Sequence, residues 1–159
     1  MPQFADFEPA RDWLQRHPQV RAVDLLLPDL MGIPRGKRVT AAELEGVHAN
    51  GLLLPASMFA LDVLGGTVQS TGLGFDEGDA DRVCLPLAGS LAAVPWLGEH
   101  VAQMQVAMYE HDRTPFYGDP RHVLEGVLGR FESLGLRPVM AVELEFYFVD
   151  RERTVEGHA

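Results

Sequence analysis

Residues 138–150 read Pro-Val-Met-Ala-Val-Glu-Leu-Glu-Phe-Tyr-Phe-Val-Asp, and this stretch decides which fold the sequence predicts. It is rich in β-branched and aromatic residues and follows a Gly-Leu-Arg turn, which is typical of a strand. Because side chains alternate along a strand, one face would be wholly apolar, with Met140, Val142, Leu144, Phe146 and Phe148. We therefore predict a strand that buries this face.

The opposite face of the predicted strand carries two carboxylates, Glu143 and Glu145. Their Cα atoms would lie roughly 6.5 Å apart, so the two negative charges would repel each other. One or two divalent cations would relieve this repulsion, and Mg²⁺ or Mn²⁺ favours carboxylate oxygens. The alternative is that both glutamates lie on the solvated face of a half-buried sheet. The spacing alone is compatible with either interpretation.

The composition is that of a globular protein, with 159 residues of which 47% are hydrophobic. The formal net charge of −10 argues against nucleic acid or an anionic membrane surface as a partner. The first residues show no basic and apolar signal-peptide pattern, and no apolar run reaches membrane-spanning length. The expected location is therefore the cytoplasm.

Cys84 is the single cysteine, which excludes an internal disulfide framework and a zinc site built from several cysteines. Its neighbours Val83 and Leu85 favour a strand, so we interpret Cys84 as a small core residue. A reactive thiol is the alternative.

The first hundred or so residues predict a small mixed sheet with helices packed on it. Apolar periodicity favours helices at residues 6–17 and after Thr40, where Glu43 completes a capping box. Further runs predict strands, of which the first is apolar enough to be buried on both faces: residues 20–27, 36–39, 83–86 and 101–109.

A turn-rich segment at residues 111–121 is the candidate boundary between a domain at 1–112 and a second one at 113–159. Asp119 would cap the next helix, with Pro120 at its first position and Gly135 at its end. The predicted strand at 138–150 follows. Since the chain supplies no elements to cover the second face of that strand, we expect the chain to be a piece of a longer protein.

Four stretches together resemble the N-terminal part of the glutamine synthetase family. They occur in the order of the family and span most of the chain: residues 23–37, which resemble its first hairpin, residues 81–96, residues 118–124, and residues 142–150, which are similar to its first metal-ligand strand.

The resemblance implies an α+β chain, with a β-grasp domain followed by the first helix and strand of the catalytic α/β domain. It implies a ligase in which ATP converts a substrate carboxylate, that of glutamate, into an acyl phosphate that an amine then attacks. It places Glu143 and Glu145 as ligands to two different Mg²⁺ or Mn²⁺ ions, and it implies a homo-oligomeric ring, a dodecamer. No catalytic residue is assigned within this chain.

The loop at residues 54–62 departs from the ammonia-using members, which carry a Phe-Asp-Gly-Ser-Ser-like sequence. Pro55 stands where their aspartate binds and helps to deprotonate ammonium, so the loop looks more like the γ-glutamyl-polyamine branch. On this resemblance Ser57 and Asp62 are candidate substrate-binding residues, and Asp62 would hold a cationic amine. The alternative is a loop aspartate that accepts backbone hydrogen bonds.

The rival to a ligase is a non-catalytic β-grasp module for binding or assembly. Under the ligase interpretation we expect this chain to be inactive by itself, because most of the ATP site and the other metal ligands would lie outside it. The glycine-rich segments lack the features of a phosphate loop, and the acidic residues 76–81 do not match a calcium loop.

Overall fold

A computed structural model describes residues 5–74, 76 and 78–157. Its helices are α1 (Glu8–Arg16), α2 (Leu44–Asn50) and α3 (Pro120–Ser133). Its strands are β1 (Ala22–Pro28), β2 (Pro34–Thr40), β3 (Leu52–Pro55), β4 (Asp81–Pro86), β5 (Ala92–Ala93) and β6 (Val101–Tyr109). Within these described residues no helix is long and apolar enough to cross a membrane.

The strands form one mixed sheet in the order β2-β1-β6-β4-β3, with β5 also paired to β6. β1 and β6 run parallel, with Ala22 opposite Val101 and Leu26 opposite Gln105. The other pairs are antiparallel, including the β1–β2 hairpin. The predicted mixed sheet is therefore present, and the chain has a mixed α/β fold.

The core lies mainly on one face of this sheet, where α1 and α2 cover it. Buried side chains from both helices and from the central strands form this cluster, among them Ala10, Leu25, Val47, Met104 and Val106. Buried and half-buried residues alternate along β1, so the predicted burial holds for one of its faces and only in part for the other. A run of hydrophobic residues does not by itself show which faces of a strand are covered, and the second face of β1 is covered only in part.

The predicted capping box begins the segment that leads into α2. Glu43 Oε2 accepts hydrogen bonds from the backbone N–H of Thr40 at 2.7 Å and from its hydroxyl at 2.8 Å. A short 3₁₀ turn, Ala41–Glu43, precedes the helix, and Gly51 ends it with a φ of 81°. Glycine accepts this left-handed conformation without a steric penalty, which explains its place after the helix.

The predicted strand at residues 138–150 is not formed, since these residues carry neither helix nor strand. The face expected to be buried is exposed, with Val142 at 86%, Leu144 at 80% and Phe148 at 94%. Isolated strands are not stable, because their backbone groups need a neighbouring strand to pair with. The sequence composition suits a strand, but the described residues supply no partner strand.

The chain divides into two compact units, Met1–Val127 and Leu128–Ala159. The first unit contains the sheet, α1 and α2. The second contains the end of α3 and the irregular segment that follows it, where Gly135 takes a φ of 68° just after the helix. The division falls inside α3, and the predicted domain boundary at residue 112 stays a prediction.

A buried carboxylate ties the start of α3 to the end of β6. The Asp119 side chain is fully buried, and its Oδ2 accepts the backbone N–H of Met108 at 2.7 Å. Its Oδ1 accepts the N–H of Arg121 at 2.9 Å, which is the predicted helix cap. His122 donates from Nε2 to the Met108 carbonyl oxygen at 2.8 Å. The Asp119 carboxylate therefore accepts hydrogen bonds from the backbone of both β6 and α3.

We predict that Asp119→Ala lowers the free energy of unfolding by about 3 kcal/mol, because a buried N–H would lose a charged acceptor. Asp112→Ala is the matched control, since Asp112 also accepts a backbone N–H, that of Thr114, but in an exposed turn. The control should lose less than about 1 kcal/mol. Urea midpoints followed by circular dichroism measure both values, and equal losses would contradict the role of Asp119.

Candidate functional site

The two candidate metal ligands lie in the irregular segment after α3. Glu143 and Glu145 are both exposed. Among the described residues, no group of three or more histidine, cysteine or acidic side chains could hold a metal ion. The described part of the chain therefore offers two carboxylates of the right chemical type, without the further ligands that a hard divalent cation needs.

Ser57, the first candidate substrate-binding residue, lies in the 3₁₀ turn Ala56–Ala60 directly after β3. It is buried, with 7% of its surface exposed, and its backbone N–H donates to Asp79 Oδ1 at 3.3 Å. The neighbouring side chains Phe59 and Ala60 are in the core. The turn is thus held by the bond to Asp79 and by the buried side chains that follow Ser57.

Asp62, the second candidate, organises the tight turn that follows. Its Oδ1 accepts the backbone N–H of Leu64 at 2.9 Å and that of Gly66 at 2.8 Å. This is the arrangement expected of a loop aspartate that accepts backbone hydrogen bonds. Val63 and Leu64 form the exposed tip of the turn. Ser57 and Asp62 consequently belong to one loop, in a different compact unit from Glu143 and Glu145.

Asp29 is a buried polar residue whose role the sequence did not reveal. It follows β1 in the hairpin turn, and its side chain is 1% exposed. Oδ1 accepts the N–H groups of Met31 and Ile33, each at 2.8 Å, and Oδ2 accepts Arg35 Nε at 3.0 Å. The signal in the sequence is an aspartate at the end of a strand with an arginine six residues later on the returning strand.

Two opposing effects set the pKa of Asp29. Burial by itself would raise the pKa, because it penalises the charged carboxylate. The hydrogen bonds from Ile33, Arg35 and Met31, together with the positive charge of Arg35, outweigh burial and hold the pKa below its ordinary value. Asp29 is therefore a charged structural residue that closes the hairpin.

Cys84 lies in β4 and is fully buried. Burial, with a smaller contribution from the Asp119 charge, raises the pKa of its thiol to about 12. Since the thiolate is the reactive form, Cys84 is an inert core residue, which confirms the interpretation from its neighbours.

The chain is similar to curated ligases. γ-Glutamylputrescine synthetase PuuA of Escherichia coli strain K12 is 43% identical over 146 residues, which cover 92% of this chain and 31% of that protein. Glutamate–isopropylamine ligase of a Pseudomonas species is 29% identical over 88% of this chain and 30% of its own length. Glutamine synthetase of Pyrococcus horikoshii is 28% identical over 87% of this chain and 28% of its own length. The chain thus spans about a third of the length of these relatives.

Solved structures of glutamine synthetase-like proteins are also similar to this chain. A crystal structure described as a novel glutamine synthase homolog has a TM-score of 0.63 and 25% identity, covering 72% of this chain and 27% of that one. A complex of GmaS with ADP has a TM-score of 0.61 and 23% identity, and the match covers 84% of this chain and 26% of that one. At this identity the match shows a similar fold alone. No protein-family model matches the chain.

The lowered pKa of Asp29 predicts a pH-dependent contribution to stability. An aspartate whose pKa is lower in the folded state stabilises the fold above its unfolded pKa, which is about 4. That contribution is lost as the pH falls through the lower folded value. The difference in unfolding free energy between the wild type and Asp29→Asn should therefore be largest near pH 6 and shrink below about pH 4.

Urea titrations of both proteins from pH 2 to 7 measure this difference. Asp12→Asn, a change at an exposed position of α1, serves as the control and should show a difference near zero at every pH. A wild-type advantage over Asp29→Asn that stayed constant with pH would contradict the charged state of Asp29.

Proposed function

We propose that the chain is part of an ATP-dependent ligase. The reason is that it belongs with the N-terminal part of the glutamine synthetase family, near the γ-glutamyl-polyamine branch of that family. This ligase would join the γ-carboxylate of glutamate to an organic amine. The observation that carries the proposal is the 43% identity to γ-glutamylputrescine synthetase across 92% of the chain. Ligases of this family use ATP and divalent metal ions in general.

The proposed reaction has two steps. A γ-carboxylate oxygen of glutamate attacks the γ-phosphorus of ATP, which forms an acyl phosphate and releases ADP. The amine nitrogen then attacks the acyl carbon, the bond to the phosphate oxygen breaks, and the amine loses a proton. The products are a γ-glutamyl amide, ADP and inorganic phosphate.

Glu143 and Glu145 are the residues that we propose as metal ligands. Their carboxylate oxygens are the donors that Mg²⁺ or Mn²⁺ prefers, so the residue types fit these ions. When bound, such ions would neutralise charge that develops on the phosphates. The remaining ligands would come from parts of the protein beyond the described residues. A strand at residues 138–150, paired with neighbours supplied by those parts, would hold both carboxylates on one face.

The loop that contains Ser57 and Asp62 is the proposed amine-binding element. Oδ1 of Asp62 is occupied by two backbone N–H groups, whereas no hydrogen bond to its Oδ2 is found among the described residues. One oxygen would thus fix the turn while the other attracts a cationic amine. The 3₁₀ turn around Ser57, which is held by the bond to Asp79 and by the buried side chain of Phe59, supports the start of this loop.

The architecture supports the family assignment of the first domain as a β-grasp. A β1–β2 hairpin is followed by the helix α2, and β1 lies parallel to the central strand β6. We further propose that the ligase acts in the cytoplasm, where ATP and glutamate are available, and that it assembles into a homo-oligomeric ring.

Replacing either proposed metal ligand should abolish turnover in the longer protein. We expect Glu143→Ala and Glu145→Ala each to lower metal-dependent ATP turnover by about 100-fold or more, because charge stabilisation of the transferred phosphate would be lost. Glu152→Ala, a change at an exposed glutamate in the same segment, is the matched control. Coupled ADP-release assays at several Mg²⁺ concentrations measure the effect, and turnover equal to that of the control would refute the assignment.

An amine panel tests the substrate class. We expect kcat/KM for putrescine or another alkylamine to exceed that for ammonia by at least about 10-fold, a difference of about 1.4 kcal/mol in transition-state binding. Asp62→Asn keeps an oxygen for the turn but removes the charge, so it should raise KM for the amine. Asp112→Asn, in another exposed turn, should leave KM unchanged. Strict dependence on ammonia would contradict both the loop argument and the branch assignment.

A further inference from the structure

The sequence contains a single asparagine, Asn50, and a glycine follows it directly. Asn50 is the last residue of α2, it is exposed, and its side chain makes no hydrogen bond among the described residues. Asparagine is one of the chemically labile residues of proteins. Gly51 has no side chain that would shield its backbone nitrogen. The pair therefore combines the groups that a spontaneous covalent change needs.

This change is deamidation through a cyclic imide. The backbone nitrogen of Gly51 loses its proton to hydroxide and attacks the side-chain carbonyl carbon of Asn50. A bond forms between these two atoms, the bond from that carbon to the side-chain amide nitrogen breaks, and the amide nitrogen takes up a proton from water and leaves as ammonia. Water then opens the ring at either carbonyl carbon, which gives aspartate or isoaspartate. The net reaction consumes water and releases ammonia.

The folded end of α2 opposes the attack. The Gly51 N–H donates to the carbonyl oxygen of Val47 at 2.8 Å, which keeps its proton in place and its nitrogen in the helical geometry. Arg113 Nη2 donates to the carbonyl oxygen of Ala49 at 3.3 Å at the same end. The helix is only seven residues long, and helix ends open more readily than a whole protein unfolds. The attack therefore requires opening of the last helical turn, whereas the sheet can stay folded.

The surroundings of Gly51 decide what the change does to the fold. Gly51 has a φ of 81°, and a Cβ built on it would clash with Val83 Cγ1 and lie 3.1 Å from the carbonyl oxygen of Cys84. The next residue, Leu52, pairs with Cys84 between β3 and β4. Isoaspartate adds one carbon to the main chain directly before this crowded position. The end of α2 and the pairing of Leu52 then cannot both keep their present geometry.

We propose that Asn50 is a deamidation site that reacts when the last turn of α2 opens, and that its isoaspartate product cannot restore the junction between α2 and β3. The aspartate product leaves the main chain unchanged and places a negative charge at the end of the helix, where the helix dipole disfavours it only modestly. The site shares no residue with the proposed metal ligands or the proposed amine-binding loop, so it does not depend on the ligase function.

Peptide mapping by mass spectrometry, after incubation of the whole chain at mildly alkaline pH, tests the reaction. We expect Asn50 to react about 10- to 100-fold more slowly in the folded chain than in the chain unfolded by urea, because the population of the open helix end limits the rate. Urea below the unfolding transition should hardly change the rate, since opening one turn exposes little surface. Asn50→Gln is the negative control, because its longer side chain would have to close a larger ring.

Two matched substitutions separate local opening from global unfolding. Val47→Ala removes buried atoms from the last turn of α2 and should raise the rate about 5-fold. Val23→Ala removes the same atoms from the fully buried interior of β1 and should leave the rate unchanged, although it lowers the overall stability. Ala88→Asn, made together with Asn50→Gln, places an asparagine before Gly89 in an exposed turn and should react faster than Asn50 does.

The stability of the products tests the second half of the proposal. Ion exchange separates the converted chain by its added negative charge, and peptide mapping gives the isoaspartate content of each fraction. The isoaspartate form should have a urea midpoint at least about 0.5 M below that of the wild type. Asn50→Asp, which reproduces the aspartate product, should stay close to the wild type.

Three results would overturn the proposal. The first is a rate at Asn50 that is undetectable in the folded chain, or equal to the rate in the unfolded chain. The second is equal acceleration by Val47→Ala and Val23→Ala, since the reaction would then require global unfolding. The third is an isoaspartate form as stable as Asn50→Asp. None of these measurements uses turnover of the longer protein, so this proposal and the proposed function can fail separately.

Discussion

Strand β6 is the constraint on which the sheet depends, because three other strands pair with it. β1 lies along its first half, β5 lies along the opposite edge there, and β4 follows its second half. The alternation of its side chains divides the interior into two clusters. Met104, Val106 and Met108 face the main core, whereas Ala107 and Tyr109 pack with Val83 and Leu85 of β4. A one-residue slip in β6 would move each set to the opposite face, where the neighbouring side chains do not fit it.

The end of β6 explains why a charged residue belongs in this interior. Beyond the last pair with β1, the backbone of Met108 needs other partners. Asp119 supplies the acceptor for its N–H, and Phe116 and His122 donate to its carbonyl oxygen. These contacts satisfy the buried backbone groups of Met108 where β6 continues past its last pair with β1.

The sequence predicted those features that are specified locally. The alternation of β6, the capping box at Thr40 and the cap at Asp119 all depend on residues within a few positions of each other, and all are present. The hydrogen bond from Met108 to Asp119 could not be predicted, because it joins residues eleven positions apart through a turn. The network of Asp29 was also missed. Its bonds to Met31 and Ile33 are local, but its bond to Arg35 joins residues on the two sides of the hairpin turn.

The segment at residues 138–150 shows the limit of composition as a guide. Val, Phe and Tyr favour a strand only when a neighbouring strand pairs with their backbone, and that neighbour is absent from the described residues. The positions of Glu143 and Glu145 relative to each other depend on the same pairing. A metal site at these residues would therefore be formed by the partner strands as much as by the glutamates.

Buried polar groups in the first unit differ in how completely they are satisfied. Both oxygens of Asp29 and both oxygens of Asp119 accept hydrogen bonds, so every carboxylate oxygen of these two side chains has a donor within the protein. His48 satisfies one ring nitrogen through Leu44, whereas its other ring nitrogen is shielded from solvent and has no hydrogen-bond partner among the described residues. The two carboxylates, whose burial would cost most without donors, are thus satisfied more fully than the imidazole.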